Sequence, residues 1–379
     1  MPTIAFYLPQ YHPIPENDRW WGKGFTDWVN VRKARPRFKG HYQPHIPADL
    51  GYYDLRSEKA RLAQAKLAVE YGIGGFCYYH YYFNGKLLLE RPFNEVLTSG
   101  KPDFPFCLCW ANENWTKRWD GLEREVLMAQ NYDAYDPLQH IDWLDRAFSD
   151  RRYIKINGKP LFLVLRPDMI PNLHQVITVW RQALDGKGYP GLYLGSVDHV
   201  FNRLTRSQAI AKGFDGIVEF HPAGRKSGVI PCNRFKLRNL FNRTINKLKH
   251  TMQLEHLIGQ LEVNMVFNYS DLVQRPLALP MNQHRIFPCV MPMWDNSART
   301  KVASIYPNDD EKLYGRWLEK ALTRVQEYPE DEQIVFINAW NEWAEGCHLE
   351  PDIRNGRKFL EETRRVLQSF DSFVTMRRS

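Results

Sequence analysis

Residues Ile334–Gly346 read IVFINAWNEWAEG. The first four are β-branched or aromatic, which marks a buried strand. Two tryptophans, Trp340 and Trp343, then interleave with two acids, Glu342 and Glu345. Carboxylates are ordinarily kept in water, so acids pressed against indoles at a strand end call for a reason. A continuous strand would send residues 342 and 345 to opposite faces. Both can face one pocket only if the chain turns just after Trp340 or Asn341. The alternative is that the two glutamates open the next helix, near the favourable end of its dipole. Taken alone, the Glu-x-x-Glu spacing suits that alternative, and the rest of the chain must decide.

Working backwards, short apolar runs alternate with segments of helical period. The runs are Thr3–Leu8, Gly74–Tyr79, Phe104–Trp110, Pro160–Leu165, Leu192–Val197, Gly216–Phe220, Ile286–Met291 and Gln333–Ala339. Helices are expected over Ser57–Tyr71, Pro137–Phe148, Val176–Leu184, Gln208–Lys212, Glu311–Val325 and Arg357–Leu367. Eight strands alternating with helices predict an α/β fold, a (β/α)8 barrel over residues 1–379, with a doubly wound sheet as the alternative. In such a barrel the active site lies at the C-terminal strand ends.

Polar and aromatic residues follow every run. They include Gln10, Tyr11 and His12, then His80, Tyr81 and Tyr82, then Trp110, Asn112 and Glu113. Arg166, Asp198, His199, Glu219, His221, Trp294, Asp295 and Asn296 follow later runs, and Trp340–Glu345 closes the series. At eight successive ends this pattern points to a convergent ligand site rather than to chance. Paired carboxylates in a pocket are the equipment for glycosidic cleavage, one donating a proton and the other remaining ionised. Burial beside indoles, and each acid beside the other, would separate their pKa values. The candidate catalytic pair is Glu342 and Glu345. Tyr7, Tyr11, His80, Tyr82, Trp110, Asn112, Glu113, Glu219, Trp294, Asn341 and Trp343 are candidates to bond or stack on sugar rings, with Asp27, Asp295 and His221 beside them.

Two insertions break the pattern. Residues 11–54 form a long loop rich in proline, glycine and aromatic residues, expected to cap the barrel mouth. Residues 223–285 contain a basic stretch, with eight Lys/Arg and no Asp/Glu from Arg225 to Lys249. Within it Leu237, Leu240, Phe241, Ile245 and Leu248 follow helical spacing. Such a helix suits either an anionic membrane surface, through residues 225–250, or packing on the barrel with a solvated basic face. The net charge of +8 is too mild to imply nucleic acid. The six cysteines show no CxxC spacing, so neither a metal nor a redox motif is indicated and no cofactor is expected. No signal peptide or transmembrane run is evident, which makes the cytoplasm the expected compartment, at most peripheral to the inner membrane.

The motif NEWAEGCHLEP (Asn341–Pro351) resembles the signature of the family 99 endo-mannosidases, which are (β/α)8 glycoside hydrolases. Together with FYLPQYHPIPENDRWWGKGFTDW (residues 6–28), YYHYYF (78–83) and WANENWTKRWDG (110–121), it is similar to the WbsX-like branch of that superfamily. That branch is encoded in bacterial O-antigen and capsule clusters and often labelled a glycosyltransferase. The resemblance runs from Ile4 to about Phe359. It implies a retaining, endo-acting glycosidase for a surface polysaccharide or its lipid-linked precursor. Glu342 would deprotonate the sugar 2-hydroxyl, giving a 1,2-anhydro intermediate, and Glu345 would serve as acid and base. The chain departs from the parent motif at Ala344, where a histidine usually stands, and at Cys347-His348. A transferase and a non-catalytic carbohydrate-binding protein are the competing functions. The absence of an Asp-x-Asp motif and of a GxGxxG loop after a strand favours the hydrolase.

Overall fold

The computed structural model describes residues 3–117, 122–222, 229–251, 261–275 and 284–378. Eight parallel strands close into a barrel: β1 (Thr3–Tyr7), β2 (Gly75–Phe83), β3 (Phe106–Trp110), β4 (Lys159–Val164), β5 (Tyr193–Val197), β6 (Gly216–Glu219), β7 (Arg285–Val290) and β8 (Val335–Ile337). Closure comes at β1, which pairs in parallel with β8 on one side (Ile4 opposite Phe336) and with β2 on the other (Ile4 opposite Gly75). This is the (β/α)8 barrel, and the doubly wound alternative falls with the closed ladder.

Helices Glu58–Glu70, Pro137–Phe148, Leu173–Asp185, Arg206–Ala211, Glu311–Val325 and Lys358–Arg378 lie where their apolar period places them. Several start at side-chain caps that satisfy otherwise orphaned amides. Asp136 accepts from Leu138 and Gln139, Asp310 from Lys312 and Leu313, and Thr205 forms a capping box with Gln208. A further helix, Arg91–Ser99, fills the gap between β2 and β3 and was not read from the sequence. The last strand is shorter than expected, Val335–Ile337, although Asn338 and Trp340 still donate to Val290 and Phe6. Among the described residues no helix is long and apolar enough to cross a membrane.

Side-chain parity on β2 decides what reaches the barrel axis. Tyr78 packs on Phe93 of the Arg91–Ser99 helix, and His80 bonds His140 of the Pro137–Phe148 helix at 3.0 Å. The even residues therefore belong to the helix layer. Tyr79 instead stacks on Phe6, which also meets Phe336 and Phe220, so the odd residues point inward. All six cysteines are free, and five are buried.

One buried side chain ties the first strand to the segment after the last. Asn341 Oδ1 accepts from the Leu8 amide at 2.7 Å, and its Nδ2 donates to the Leu8 carbonyl at 3.0 Å and to Tyr53 at 3.2 Å. Asn341→Ala leaves two buried backbone groups without partners, and each costs about 1–3 kcal/mol. Urea unfolding should show a loss of roughly 2–6 kcal/mol. Wild-type stability in that variant would mean the clamp contributes nothing.

Candidate active site

The segment after β8 is a tight hairpin. Asn341–Glu342 pairs antiparallel with Cys347–His348 around a single 3₁₀ turn, Trp343–Glu345. A 3₁₀ turn has three residues per turn, so positions i and i+3 lie above one another. Glu342 stands just before this turn and Glu345 ends it, and both reach the same arginine, Arg299. Gly346 closes the turn at φ 52°, and a Cβ there would stand 2.9 Å from that of Asp295. Both the positive φ and the close approach call for glycine.

Between the two acids stands Arg299, just after β7 and its short 3₁₀ turn Asn296–Ala298. Its guanidinium lies 2.9 Å from Asp27, 3.3 Å from Glu342 and 2.9 Å from Glu345. Asp27, fully buried, comes from the 11–54 insertion, in the first turn of the Asp27–Lys33 helix. Burial opposes the charge on Arg299, but the three carboxylates outweigh it and hold its pKa well above the usual arginine value. Glu342 shifts upward as well. Burial is the main cause, Arg299 pulls the other way, and Glu345 and Asp27 add to the rise. Glu342 Oε2 lies within ion-pair range of Arg299 but makes no hydrogen bond among the described residues. Glu345 is more open, with 24% of its side chain exposed against 6% for Glu342. The pair thus combines a buried acid, one oxygen of which makes no hydrogen bond, with an accessible one.

Inward-facing Tyr79 and Tyr81 feel the same charge. Burial and then Glu342 raise both phenol pKa values. Beneath the hairpin, Tyr11 donates to the Asn341 carbonyl and accepts from the Trp343 amide. Trp343 Nε1, Gln64 and Tyr53 all donate to buried Glu350, at 2.6, 2.7 and 2.8 Å. Burial nevertheless lifts Glu350 to about 7. The Trp343 ring stacks on His348, with ring centroids 3.8 Å apart. His41 and Gln43 bond Asp295, which in turn accepts from the Ser297 amide and shapes the turn before Arg299.

His45, His348 and Asp352 are the one trio among the described residues whose ligand atoms lie within 4.8 Å of one another. The nearest nitrogens of His45 and His348 are 2.8 Å apart and already bonded to each other. Ligands about 2.0–2.1 Å from a tetrahedral ion stand roughly 3.3 Å apart or more, so as arranged the trio is a hydrogen-bonded cluster.

The sequence candidates divide into three groups. Glu342 and Glu345 meet at Arg299, with Asp27 beside them and Tyr11, Asn341 and Trp343 supporting the hairpin. Glu113 and Glu219 stand at other strand ends, paired with Arg166 at 2.5 Å and Arg206 at 3.0 Å. Asn112 bridges Tyr132 and the Arg166 backbone, and Trp294 donates to Ser304. Tyr7, His80, Tyr82 and Trp110 face the helix layer, against Gln64, His140, Gln139 and Trp180 respectively. The structure does not bring these four to the acids. Trp340 packs on Phe76 on the same outer side, so this indole is not a wall for the acids. Ala344 is fully buried. Arg299 and Tyr79 escaped the sequence reading.

This geometry defines a class, a (β/α)8 barrel with a carboxylate pair on a shared arginine at its mouth. A family model described as glycosyltransferase WbsX matches residues 3–363, and the chain belongs to that family. Two relatives from Xanthomonas campestris pv. campestris, both described as uncharacterized protein WxcX, are 39% identical (strain B100) and 38% identical (strain ATCC 33913) over 96% of the chain. The chain spans about half of their length, 49%. Among solved structures it is similar to a glycoside hydrolase-like protein, at TM-score 0.57 and 14% identity, covering 96% of this chain and 93% of that one. It is also similar to the GH99 endo-alpha-mannosidase from Bacteroides thetaiotaomicron, at TM-score 0.55 and 13% identity, covering 98% of this chain and 97% of that one. At that identity the shared property is the fold.

Glu350 generates a stability prediction. Its folded pKa is raised, so between the unfolded value near 4.3 and about 7 the native state binds a proton that the unfolded chain has released. Its contribution to stability therefore falls as pH rises through that window. In Glu350→Gln the fall should flatten by up to about 1.4 kcal/mol per pH unit, read from urea midpoints at pH 5, 6 and 7. Parallel curves for wild type and variant would contradict the raised value.

Proposed function

We propose that the chain is a retaining glycoside hydrolase acting on a bacterial surface polysaccharide or its lipid-linked precursor. The observation that carries the reading is the Arg299 cluster. It holds buried Glu342 and accessible Glu345 on one cation, with Glu342 Oε2 only loosely paired to Arg299 at 3.3 Å.

The reaction follows in two steps. The reacting form has Glu345 protonated and Glu342 ionised, so Glu342 must first give up the proton that burial favours on it. Glu342 then takes the proton from the sugar 2-hydroxyl as O2 closes on C1. The bond from C1 to the leaving oxygen breaks while Glu345 protonates that oxygen. In the second step Glu345 deprotonates a water that attacks C1, the C1–O2 bond opens, and O2 recovers its proton from Glu342. Two inversions at C1 give net retention. Arg299 positions both carboxylates and lowers the proton affinity of Glu342, and Tyr79 and Tyr81 lie close enough to feel its charge. The family resemblance supplies the 1,2-anhydro route, an endo mode of attack and the polysaccharide class.

The family's description as glycosyltransferase supports a second reading. The same first step followed by attack of a sugar hydroxyl instead of water would transfer the glycan.

Incubation with the polysaccharide of the cognate gene cluster, and separately with sugar nucleotides, distinguishes the readings by mass spectrometry. Shortened glycans are expected, with Glu342→Gln and Glu345→Gln each reducing turnover at least ~10³-fold. Sugar-nucleotide consumption without glycan shortening would overturn hydrolysis, and unchanged turnover in both variants would overturn the assigned pair. A pH profile adds a further check. Glu342 must be ionised to act as base, so activity falls as pH drops through its raised pKa. Arg299 lowers that pKa, so Arg299→Gln should move the acid limb of kcat/KM to higher pH. A limb that stays in place would show that Arg299 does not tune Glu342.

A further inference from the structure

The helix Lys236–Thr251, in the basic insertion, is docked the wrong way round for a surface helix. Ordinary surface helices bury their apolar stripe and expose their polar one. Here three asparagines on one stripe do the docking. Asn239 exchanges hydrogen bonds with both backbone groups of Asn264, at 2.5 and 2.9 Å. Asn242 donates to the Glu262 carbonyl, and Asn246 bonds both backbone groups of Leu261. The helix thus caps the strand Val263–Val266 and its approach through these side-chain hydrogen bonds to the backbone.

At 100° per residue, the opposite stripe carries Leu237, Leu240, Phe241 and Leu248. These four are 82%, 62%, 64% and 52% exposed, and Ile230, just before the helix, is 79% exposed. Cations border the stripe on both sides. Lys236, Arg243 and Lys247 lie along one edge, Arg238 and Lys249 along the other, and the helix contains no acid. An apolar ridge between two rows of cations complements an anionic lipid interface, where the side chains enter the acyl boundary and the cations meet headgroup phosphates.

The position of the helix adds to the case. Asn264, held by Asn239, is also bonded by Arg37, whose guanidinium donates to the carbonyls of Ser297 and Thr300 on either side of Arg299. One chain of contacts therefore joins the exposed ridge to the carboxylate cluster.

We infer that the Leu237–Leu240–Phe241–Leu248 face docks the barrel on an anionic membrane surface, beside the end that holds the Arg299 cluster. The inference is independent of whether the site hydrolyses or transfers.

Sedimentation of the purified chain with vesicles tests it, using phosphatidylcholine alone and an equimolar phosphatidylcholine–phosphatidylglycerol mixture. Binding to the anionic vesicles is expected, weaker in high salt and weak on phosphatidylcholine. The double variant Leu240→Ser/Phe241→Ser should bind at least ~10-fold less tightly. Lys236→Gln/Lys247→Gln should lose affinity for the anionic vesicles several-fold. Circular dichroism establishes that each variant is folded. Failure of the wild type to sediment with anionic vesicles overturns the inference, as does equal binding by the serine variant. A wild-type dimer that the serine variant converts to monomer, with no vesicle binding by either, would assign the face to a second copy of this chain.

Discussion

The site depends on a charge imbalance. One guanidinium, Arg299, meets three carboxylates, Asp27, Glu342 and Glu345, where water is largely excluded. A buried cation needs partners, because removing it from water costs several kcal/mol that only close pairing restores. Three partners exceed what one positive charge can balance. The excess favours holding a proton, and Glu342 is lifted well above the ordinary glutamate range. Each element of the cluster comes from a different part of the chain: the insertion after β1, the loop after β7 and the hairpin after β8. The cluster forms only when the barrel closes and the insertion folds over it. Fold and chemistry are therefore joined at a single side chain.

Much of the architecture was legible in the sequence because its signals are local. Apolar runs placed all eight strands, and helical period placed most helices. The two acids were legible because paired carboxylates set among indoles at the end of the eighth strand are an unusual local pattern. What escaped was parity. Strands of a parallel barrel are buried on both faces, so hydrophobicity does not alternate along them. Nothing in YYHYYF says that Tyr79 and Tyr81 face the axis while His80 and Tyr82 face the helices. Arg299 escaped for a related reason: a lone arginine after a strand carries no pattern, and its meaning lies in partners distant in sequence.

The basic helix shows a second limit. Its amphipathic period was plain, but period does not say which stripe docks. Packing on the barrel usually buries the apolar stripe, whereas here Asn239, Asn242 and Asn246 satisfy the backbone of Leu261–Asn264 and leave the apolar stripe outward. The indoles also changed their meaning. Trp340 packs outside the barrel, and Trp343 serves the hairpin by donating to Glu350 and stacking on His348. The dry surroundings of Glu342 come from the barrel end and the folded-over insertion.

Burial, with Glu345 and Asp27 close by, raises the proton affinity of Glu342 against the pull of Arg299. Carbon-13 NMR of the chain labelled at glutamate side-chain carboxyls reads this directly, with Glu342→Gln assigning the resonance. The account predicts a carboxyl signal that titrates clearly above the usual value near 4.3 and vanishes in the variant. A Glu342 signal that titrates at or below that value would contradict it.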